Sequence, residues 1–274
     1  MVVARLRAAG CVFAEEEAAL LLAAASGPDL EALVVRRVAG EPLEHLLGWV
    51  SFAGSRYVVT PGVFVPRRRS ELLVAVVQWV LVECAAEIRP EPTGLPTLRI
   101  LELCCGSGAI GAAIAERIPG AEVWAADIDP VAVACARLNL PPERVVEGDL
   151  YDALPASIRG RIDVVVVNAP YVPTDAIATM PPEARDHEPR VALDGGTDGL
   201  DLHRRVLSEA QPWLTPGGAV VIETSRAQAD GTAATARAAG LVPRVVTDDE
   251  LTATAVIATL PSGKKPDPPY AGPL

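Results

Sequence analysis

An apolar run is followed directly by a tetrapeptide that carries two fixed hydrogen-bond acceptors. Residues 163–168 are too uniformly apolar for a half-exposed strand, which predicts a buried strand ending at Asn168. Out of context, Asn168-Ala169-Pro170-Tyr171 is typical of a strand-ending turn. An amide nitrogen, however, is a poor nucleophile with a delocalised lone pair, and it gains positive charge when it attacks an electrophile. The Asn168 side-chain oxygen and the Ala169 carbonyl would hold its two N–H groups and stabilise that charge.

The last two residues of the tetrapeptide suit the same chemistry. Pro170 has no N–H and restricts residue 169 to extended conformations, which helps to fix the direction of the Ala169 carbonyl. Tyr171 offers a flat face to a planar substrate group. Rate enhancement would come from positioning and preorganised dipoles, with no obvious need for a strong general base. Asn168 and Tyr171 are therefore the candidate catalytic residues.

Strands and helices alternate in the part of the chain that contains this tetrapeptide. Apolar strands separated by helices of ten or so residues indicate an α/β fold with a mainly parallel sheet covered on both faces. Ligands bind such sheets at the carboxyl ends of the strands. The predicted strands are 98–103, 121–127, 145–149, 163–168 and 219–223, the predicted helices include 109–117, 130–138 and 200–214, and 216–218 is predicted to be a turn.

Three of these strand ends form a candidate cofactor site. Small residues after the first strand let the backbone approach a ligand, and Gly108 allows close packing of the following helix. Asp127 lies about twenty positions further on, as needed to grip a ribose diol. Asp149 is suited to accept a hydrogen bond from an adenine amino group. The candidate cofactor-binding residues are Glu102, Cys104, Cys105, Gly106, Ser107, Gly108, Asp127, Ile128, Asp149, Leu150 and Asn168.

The same strand ends could also bind NAD. Gly106, Gly108 and Gly111 formally match the spacing of a dinucleotide fingerprint. Glu102, at the end of the strand, would repel a pyrophosphate but suits the cationic amino group of a methionine moiety. Together with the tetrapeptide, this residue favours S-adenosyl-L-methionine over NAD.

Composition excludes several other classes of function. The 274 residues carry a formal net charge of −11, so a naked duplex is a poor candidate partner. Five scattered cysteines and three isolated histidines predict neither a disulfide framework nor a metal site, and they indicate a reduced cytoplasmic protein. No apolar run approaches the ~18 residues of a membrane span, so no membrane association is expected.

The chain divides into four predicted units. Residues 1–47 have helical spacing and form a small helical domain. Residues 48–69 contain two short β-type runs and form a β-hairpin connector. Residues 70–260 form the α/β domain, with a Pro/Gly linker at 90–96, and residues 261–274 form a tail that we expect to be disordered.

Three further segments complete a resemblance to a known family. Glu41–Gly48 resembles the G-E-P-x-x-H-L-x-G segment of the protein-(glutamine-N5) methyltransferases that modify the Gly-Gly-Gln loop of peptide-chain release factors. Val63–Glu71 is similar to their V-F-V-P-R-P-x-T-E segment, and Leu193–Leu200 to the segment after their acceptor motif. The resemblance runs from about Glu41 to Thr224, most of the chain.

This resemblance implies a Rossmann-like class I methyltransferase with a mainly parallel seven-stranded sheet. It implies N5-methylation of a glutamine side chain in a protein substrate, with a release factor as the partner and no direct contact with nucleic acid. Phe64 would lie near the methyl donor and the target amide, and residues 1–47 would recognise the substrate. The implied substrate-binding residues are Phe64, Asn168, Ala169, Pro170 and Tyr171.

The chain departs from the family pattern at several site positions. The usual Asn-Pro-Pro-Tyr is here Asn-Ala-Pro-Tyr, so the carbonyl at Ala169 survives but its φ is not locked by a ring. Cys104 and Cys105 replace a glycine and a threonine and are expected to be small packing residues, and Glu102 replaces an aspartate. Three alternatives stay open: a paralogue with another protein target, an N-methyltransferase acting on an exocyclic amino group of a nucleic-acid base, and a non-catalytic cofactor-binding paralogue.

Overall fold

The N-terminal region is a small helical unit with its own core. The computed structural model describes residues 1–85 and 98–262. Buried side chains such as Leu6, Leu21 and Val34 close the unit, which accords with the helical spacing of residues 1–47. Its helices are α1 (Val2–Ala8), α2 (Ala14–Ala24), α3 (Gly27–Val38) and α4 (Leu43–Leu47).

A β-hairpin follows, as the sequence predicts. Strands β1 (Trp49–Phe52) and β2 (Ser55–Val58) pair antiparallel. The two residues between them, Ala53 and Gly54, both have positive φ (52° and 91°), which is the backbone that a two-residue hairpin turn requires. Ser55 begins β2 and pairs with Phe52.

Seven strands form the main sheet of the described residues, in the order β5-β4-β3-β6-β7-β9-β8. The first five strands of this order run parallel, and β9 is antiparallel to both of its neighbours. The strand order therefore reverses between β3 and β6, where a ligand site is expected. The strands are β3 (Arg99–Leu103), β4 (Glu122–Asp127), β5 (Val145–Glu147), β6 (Ile162–Val167), β7 (Leu214–Glu223), β8 (Val242–Asp248) and β9 (Ala253–Thr259).

Helices cover both faces of the sheet. Side chains alternate along β6, so that Val164 and Val166 join one apolar cluster while Val165 and Val167 join the other. The first face packs against α5 (Glu71–Ala85), α6 (Ala109–Arg117) and α7 (Pro130–Ala136), the second against α9 (Asp201–Glu209) and α10 (Ala229–Ala238), and α8 (Pro182–His187) lies in the loop before α9. The predicted mainly parallel, seven-stranded α/β fold is confirmed.

Two element predictions were wrong around β7. The helix predicted for 200–214 ends at Glu209, and pairing with β6 begins early because the Trp213 carbonyl accepts from the Ile162 N–H at 3.0 Å. The turn predicted for 216–218 lies inside β7. There the Gly217 N–H donates to the Leu260 carbonyl at 3.2 Å, so these residues continue the ladder.

The linker, tail and domain boundaries predicted from the sequence are not tested by the described residues. The linker predicted at 90–96 and most of the tail predicted at 261–274 lie outside the described residues. The domain boundaries stay predictions. Among the helices of residues 1–85 and 98–262, none combines the length and apolar character needed to cross a bilayer.

Candidate active site

A cavity of about 1120 Å³ opens at the carboxyl ends of β3, β4, β5 and β6. Parallel strands bring their ends to the same edge of the sheet, so residues far apart in sequence meet there. With the exception of Gly108, all of the site residues predicted from the sequence line this cavity: Phe64, Glu102, Cys104, Cys105, Gly106, Ser107, Asp127, Ile128, Asp149, Leu150, Asn168, Ala169, Pro170 and Tyr171.

Gly108 serves packing instead. It is the N-cap of α6 with φ of +71°. A Cβ at this position would lie 3.0 Å from Leu140 Cδ1 and 3.1 Å from Ala136 Cβ. The close helix packing expected of Gly108 is therefore present, and the residue lies outside the cavity lining.

The turn after β3 contains an L-residue in left-handed backbone. Cys104 has φ of +55°, at the position where the family resemblance leads us to expect glycine. This conformation costs an L-residue roughly 1–2 kcal/mol. Burial raises the pKa of the Cys104 and Cys105 thiols well above the ordinary value. Because the reactive form of cysteine is the thiolate, this environment accords with the expected packing role.

Glu102 is a buried carboxyl at the inner wall of the cavity. Its Oε2 accepts a hydrogen bond from the Gly111 N–H at 2.9 Å. Burial, opposed by that bond and assisted by the charge of Asp127, raises the pKa of Glu102 to about 8. A Cβ on Gly111 would lie 2.6 Å from the same Oε2. The third glycine of the formal dinucleotide match thus makes room for a carboxylate, which explains why the match is not a phosphate site.

The carboxylates at the ends of β4 and β5 are fixed in different ways. Asp127 accepts from the Gly106 N–H at 2.8 Å and from the Asp129 N–H at 2.9 Å. Asp149 forms a bidentate pair with Arg205 of α9, at 3.0 and 3.1 Å. A carboxylate has about four acceptor positions, so each retains capacity for ligand hydroxyl or amino groups. Arg205 was missed in the sequence because it follows Asp149 by 56 residues.

Within the described residues, the acceptor tetrapeptide presents two oxygens that accept no hydrogen bond. The Asn168 side-chain Nδ2 donates to the Ser70 hydroxyl oxygen at 3.1 Å. Among the described residues, none donates a hydrogen bond to Asn168 Oδ1 or to the Ala169 carbonyl. Both atoms belong to residues that line the cavity. The two acceptors predicted for a substrate amide are therefore available together.

Tyr171 is held by its hydroxyl group. The Tyr171 hydroxyl donates to Glu223 Oε1 at 3.1 Å, and Arg69 Nε donates to the same oxygen at 3.2 Å. Burial, followed by the charge of Glu223, raises the pKa of the Tyr171 phenol. The edge of the ring meets His203, with 6.5 Å between ring centroids. The ring is thus fixed from several sides, and Arg69 and Ser70 are site residues that the sequence analysis did not single out.

A glycine-rich loop supports the backbone of the tetrapeptide. A Cβ on Gly195 would lie 2.8 Å from the Pro170 carbonyl oxygen, and one on Gly199 would lie 2.2 Å from the Tyr171 carbonyl oxygen. Gln228 donates from Nε2 to that Tyr171 oxygen at 2.9 Å. The segment Leu193–Leu200 therefore packs closely against the backbone of the tetrapeptide, which gives a physical reason for its glycines.

Phe64 lines the cavity from a segment that is tied to the residue after α8. The Arg67 guanidinium lies 5.1 Å from the centroid of the Phe64 ring and pairs with Glu188 Oε1 at 2.5 Å. The same Glu188 oxygen accepts from the Val65 N–H at 3.2 Å. Segment 63–67 is thus joined to the loop that follows α8.

Comparisons with known proteins agree with this geometry. The family model described as Methyltransferase small domain matches residues 86–181. A release factor glutamine methyltransferase from Geobacter sulfurreducens is 37% identical over 202 residues, which cover 72% of this chain and 66% of the relative. The hMettl16 catalytic domain, solved with a MAT2A 3'UTR hairpin, superposes with a TM-score of 0.55 at 11% identity, over 88% of this chain and 84% of that chain. At that identity the likeness concerns the fold alone.

A longer match decides the family. The release factor glutamine methyltransferase of Bradyrhizobium diazoefficiens is 34% identical over 260 residues, which cover 87% of this chain and 85% of the relative. The methyl donor of the chain is S-adenosylmethionine, as Glu102 and the acceptor tetrapeptide led us to expect. With its sheet order, its acceptor tetrapeptide and this match, the chain belongs to the release factor glutamine methyltransferase family.

Proposed function

We propose that this chain methylates the N5 atom of a glutamine side chain in the Gly-Gly-Gln loop of a peptide-chain release factor. The observation that carries the proposal is a pair of acceptors in the cavity lining, Asn168 Oδ1 and the Ala169 carbonyl, which accept no hydrogen bond from any residue that the structure describes. A glutamine side-chain amide has two N–H groups to match them. As its nitrogen gains positive charge, both fixed dipoles stabilise that charge without reorganising.

The flat residues of the cavity suit the same substrate. Tyr171 and Phe64 line it, and each is held by further contacts rather than free to rotate. Planar side chains that contact a planar amide would restrict it to orientations in which its N–H groups meet the two acceptors. Positioning of this kind suits a reaction in which the nucleophile is weak.

The cofactor would be held by the strand-end carboxylates. When bound, S-adenosylmethionine supplies an activated methyl group. Asp127 would accept from its ribose hydroxyls, Asp149 from its adenine amino group, and Glu102 would pair with its cationic amino group. A cation beside Glu102 would keep this buried carboxyl ionised. The remaining residues proposed to contact it are Cys104, Cys105, Gly106, Ser107, Ile128, Leu150 and Asn168.

The charges around the cavity favour a protein substrate over a nucleic acid. Recognition of a phosphate backbone needs cations that are free to replace counterions. Each arginine in the cavity lining is already paired with a carboxylate, and the whole chain carries a net charge of −11. These pairs are Arg67–Glu188, Arg69–Glu223, Arg190–Asp194 and Arg205–Asp149. The partner we propose is therefore a release factor in the cytoplasm.

Methyl-labelled S-adenosylmethionine tests this proposal. The chain is incubated separately with a purified release factor, with DNA and with RNA, and an Asn168→Ala variant serves as the control. We expect label on the release factor with the parent chain only. Label on DNA or RNA would support base methylation instead, and tight cofactor binding without transfer to any of the three would support a non-catalytic role.

A further inference from the structure

Two adjacent residues in front of α5 hold opposite ends of the acceptor tetrapeptide. Ser70 accepts from the Asn168 side chain at 3.1 Å. Arg69 donates at 3.2 Å to Glu223 Oε1, the same oxygen that accepts from the Tyr171 hydroxyl at 3.1 Å. Ser70 thus contacts Asn168 directly. Arg69 reaches Tyr171 through the shared Glu223 carboxylate and also interacts with the Tyr171 hydroxyl itself.

We propose that Arg69 and Ser70 are positioning residues, which set the Asn168 amide and the Tyr171 ring for methyl transfer. The inference rests on the proposed function, because it assigns these two residues to that same site. Neither residue has to touch the reacting atoms. Their effect is to remove rotational freedom from the two side chains that do.

The contact with Ser70 fixes the plane of the Asn168 amide. Ser70 is 1% exposed, so its hydroxyl is confined beside the Asn168 amide. With Nδ2 turned toward Ser70, Oδ1 on the other side of the same planar group is the atom left for the substrate. Without the hydroxyl, the Asn168 amide loses its one side-chain hydrogen bond among the described residues, and rotation of the amide would turn Oδ1 away from the N–H groups of a glutamine.

Arg69 acts on Tyr171 through Glu223. Glu223 is 3% exposed, and its Oε2 has no hydrogen-bond partner among the described residues. A buried carboxylate whose cationic partner is removed is strongly destabilised unless it moves. A shift of Glu223 changes the bond that the Tyr171 hydroxyl donates, and the direct interaction of Arg69 with that hydroxyl is lost as well, so removal of Arg69 should disturb the ring.

The sequence provides a direct readout for Ser70, because the chain has only two asparagines, Asn139 and Asn168. Protein labelled with ¹⁵N-asparagine gives two side-chain amide signals. Asn139 donates to the Val58 and Ser107 carbonyls and is the internal reference. In Ser70→Ala we expect hydrogen exchange of the Asn168 amide to speed up by about fivefold or more, with Asn139 unchanged and Ser70→Thr close to the parent. An unchanged Asn168 signal in Ser70→Ala would overturn the proposal.

Arg69 is tested against its neighbour Arg68, which is exposed and is not part of the cavity lining. We expect Arg69→Ala to lower kcat by about tenfold with the Kd of S-adenosylhomocysteine within about twofold, Arg69→Lys to recover part of the loss, and Arg68→Ala to match the parent. The Tyr171 ring signal in tyrosine-labelled protein should shift in Arg69→Ala alone. Equal kcat in the two alanine variants, or a cofactor affinity that falls as far as kcat, would overturn the role of Arg69.

The two readouts separate this inference from the proposed function. If the parent chain transfers no methyl group to glutamine, the proposed function fails, while the amide exchange of Asn168 and the ring signal of Tyr171 still decide whether Ser70 and Arg69 hold them. If glutamine is methylated, but neither the Asn168 amide exchange nor the Tyr171 ring signal changes in the Ser70 and Arg69 variants, only the positioning role fails.

Discussion

Asn168 and Ser70 are 98 residues apart in the chain, and the side-chain amide of the first donates to the hydroxyl oxygen of the second at 3.1 Å. The bond uses the donor end of the Asn168 amide and leaves its oxygen for another molecule. A residue that would be an ordinary turn former at the end of β6 thereby becomes one half of an amide-binding pair, with the Ala169 carbonyl as the other half.

Asn168→Ala should abolish most turnover and leave the fold intact. The substitution removes one preorganised acceptor, and loss of a single group of this kind costs roughly 10²–10³ in kcat. Asn168 is half-buried and makes one side-chain hydrogen bond among the described residues, so the melting temperature should move by only a few degrees. The rate of methyl transfer and the thermal midpoint are measured together, and near-normal turnover would remove Asn168 from the mechanism.

Ala169→Pro should be tolerated or mildly activating. Within the described residues the Ala169 N–H donates to no acceptor, so a proline ring forfeits no hydrogen bond. The ring would stiffen the backbone that aims the Ala169 carbonyl and would lower the entropy of the unfolded chain, worth roughly 0.4–1 kcal/mol. A large fall in kcat would mean that this buried position has diverged in shape from its Asn-Pro-Pro-Tyr relatives.

Cys104→Gly should raise or preserve the stability of the fold, whereas Cys105→Gly should lower it. Cys104 has φ of +55°, and glycine relieves the strain of roughly 1–2 kcal/mol that an L-residue bears there. Cys105 is buried and does not have positive φ, so Cys105→Gly should destabilise the fold by about 1 kcal/mol. Denaturant unfolding measures the free energy of unfolding of both variants and of the parent chain. Equal losses would show that the Cys104 thiol packs well enough to outweigh its backbone.

Binding of S-adenosylhomocysteine should weaken as the pH falls below about 8. The pKa of Glu102 is raised to about 8, so in the free protein this carboxyl is increasingly neutral below that pH. Pairing with the amino group of the ligand requires the ionised form of Glu102. Below its pKa, Glu102 must therefore lose a proton when the ligand binds, which weakens binding by up to about tenfold per pH unit. Calorimetric titrations from about pH 6 to pH 8 measure the slope. Glu102→Gln is the control and should show a flat profile, and an equally flat parent profile would separate Glu102 from the ligand amino group.

Gly199→Ala should damage both stability and activity. A Cβ there would lie 2.2 Å from the Tyr171 carbonyl oxygen, and φ is +74°. Gly10 is a matched control, since its φ is +92° but nothing lies within 4 Å of a Cβ. Gly10→Ala should therefore cost about 1–2 kcal/mol of backbone strain alone, whereas Gly199→Ala adds overpacking of roughly 1–3 kcal/mol and shifts Tyr171. Similar unfolding free energies for the two variants would contradict the close approach of the loop to Tyr171.

The sequence predicted those parts of the molecule whose signals are local. An apolar run followed by an acidic residue or a glycine is enough to predict the end of a strand. Helix α6 was likewise predicted with its observed bounds, Ala109–Arg117. The contacts that orient the site were not predicted, because each joins distant residues. Arg69 and Glu223 are 154 residues apart, and Asp149 and Arg205 are 56 apart.

The C-terminal elements had weak signals of their own. The sequence analysis assigned no element between residues 224 and 260, where α10, β8 and β9 lie. Helix α10 is rich in alanine and lacks a stripe of large apolar residues, and the edge strand β8 is mostly exposed, so neither shows clear periodicity. Strands β8 and β9 were expected only because the family resemblance implies a seven-stranded sheet.

Mass spectrometry of a purified release factor after incubation with the chain and S-adenosylmethionine tests the proposed glutamine methylation most directly. We expect that the peptide containing the Gly-Gly-Gln loop gains the mass of one methyl group, that fragmentation assigns it to the glutamine side chain, and that Asn168→Ala leaves the peptide unmodified. A methyl group on a different residue, no gain in mass, or equal modification by Asn168→Ala would contradict it.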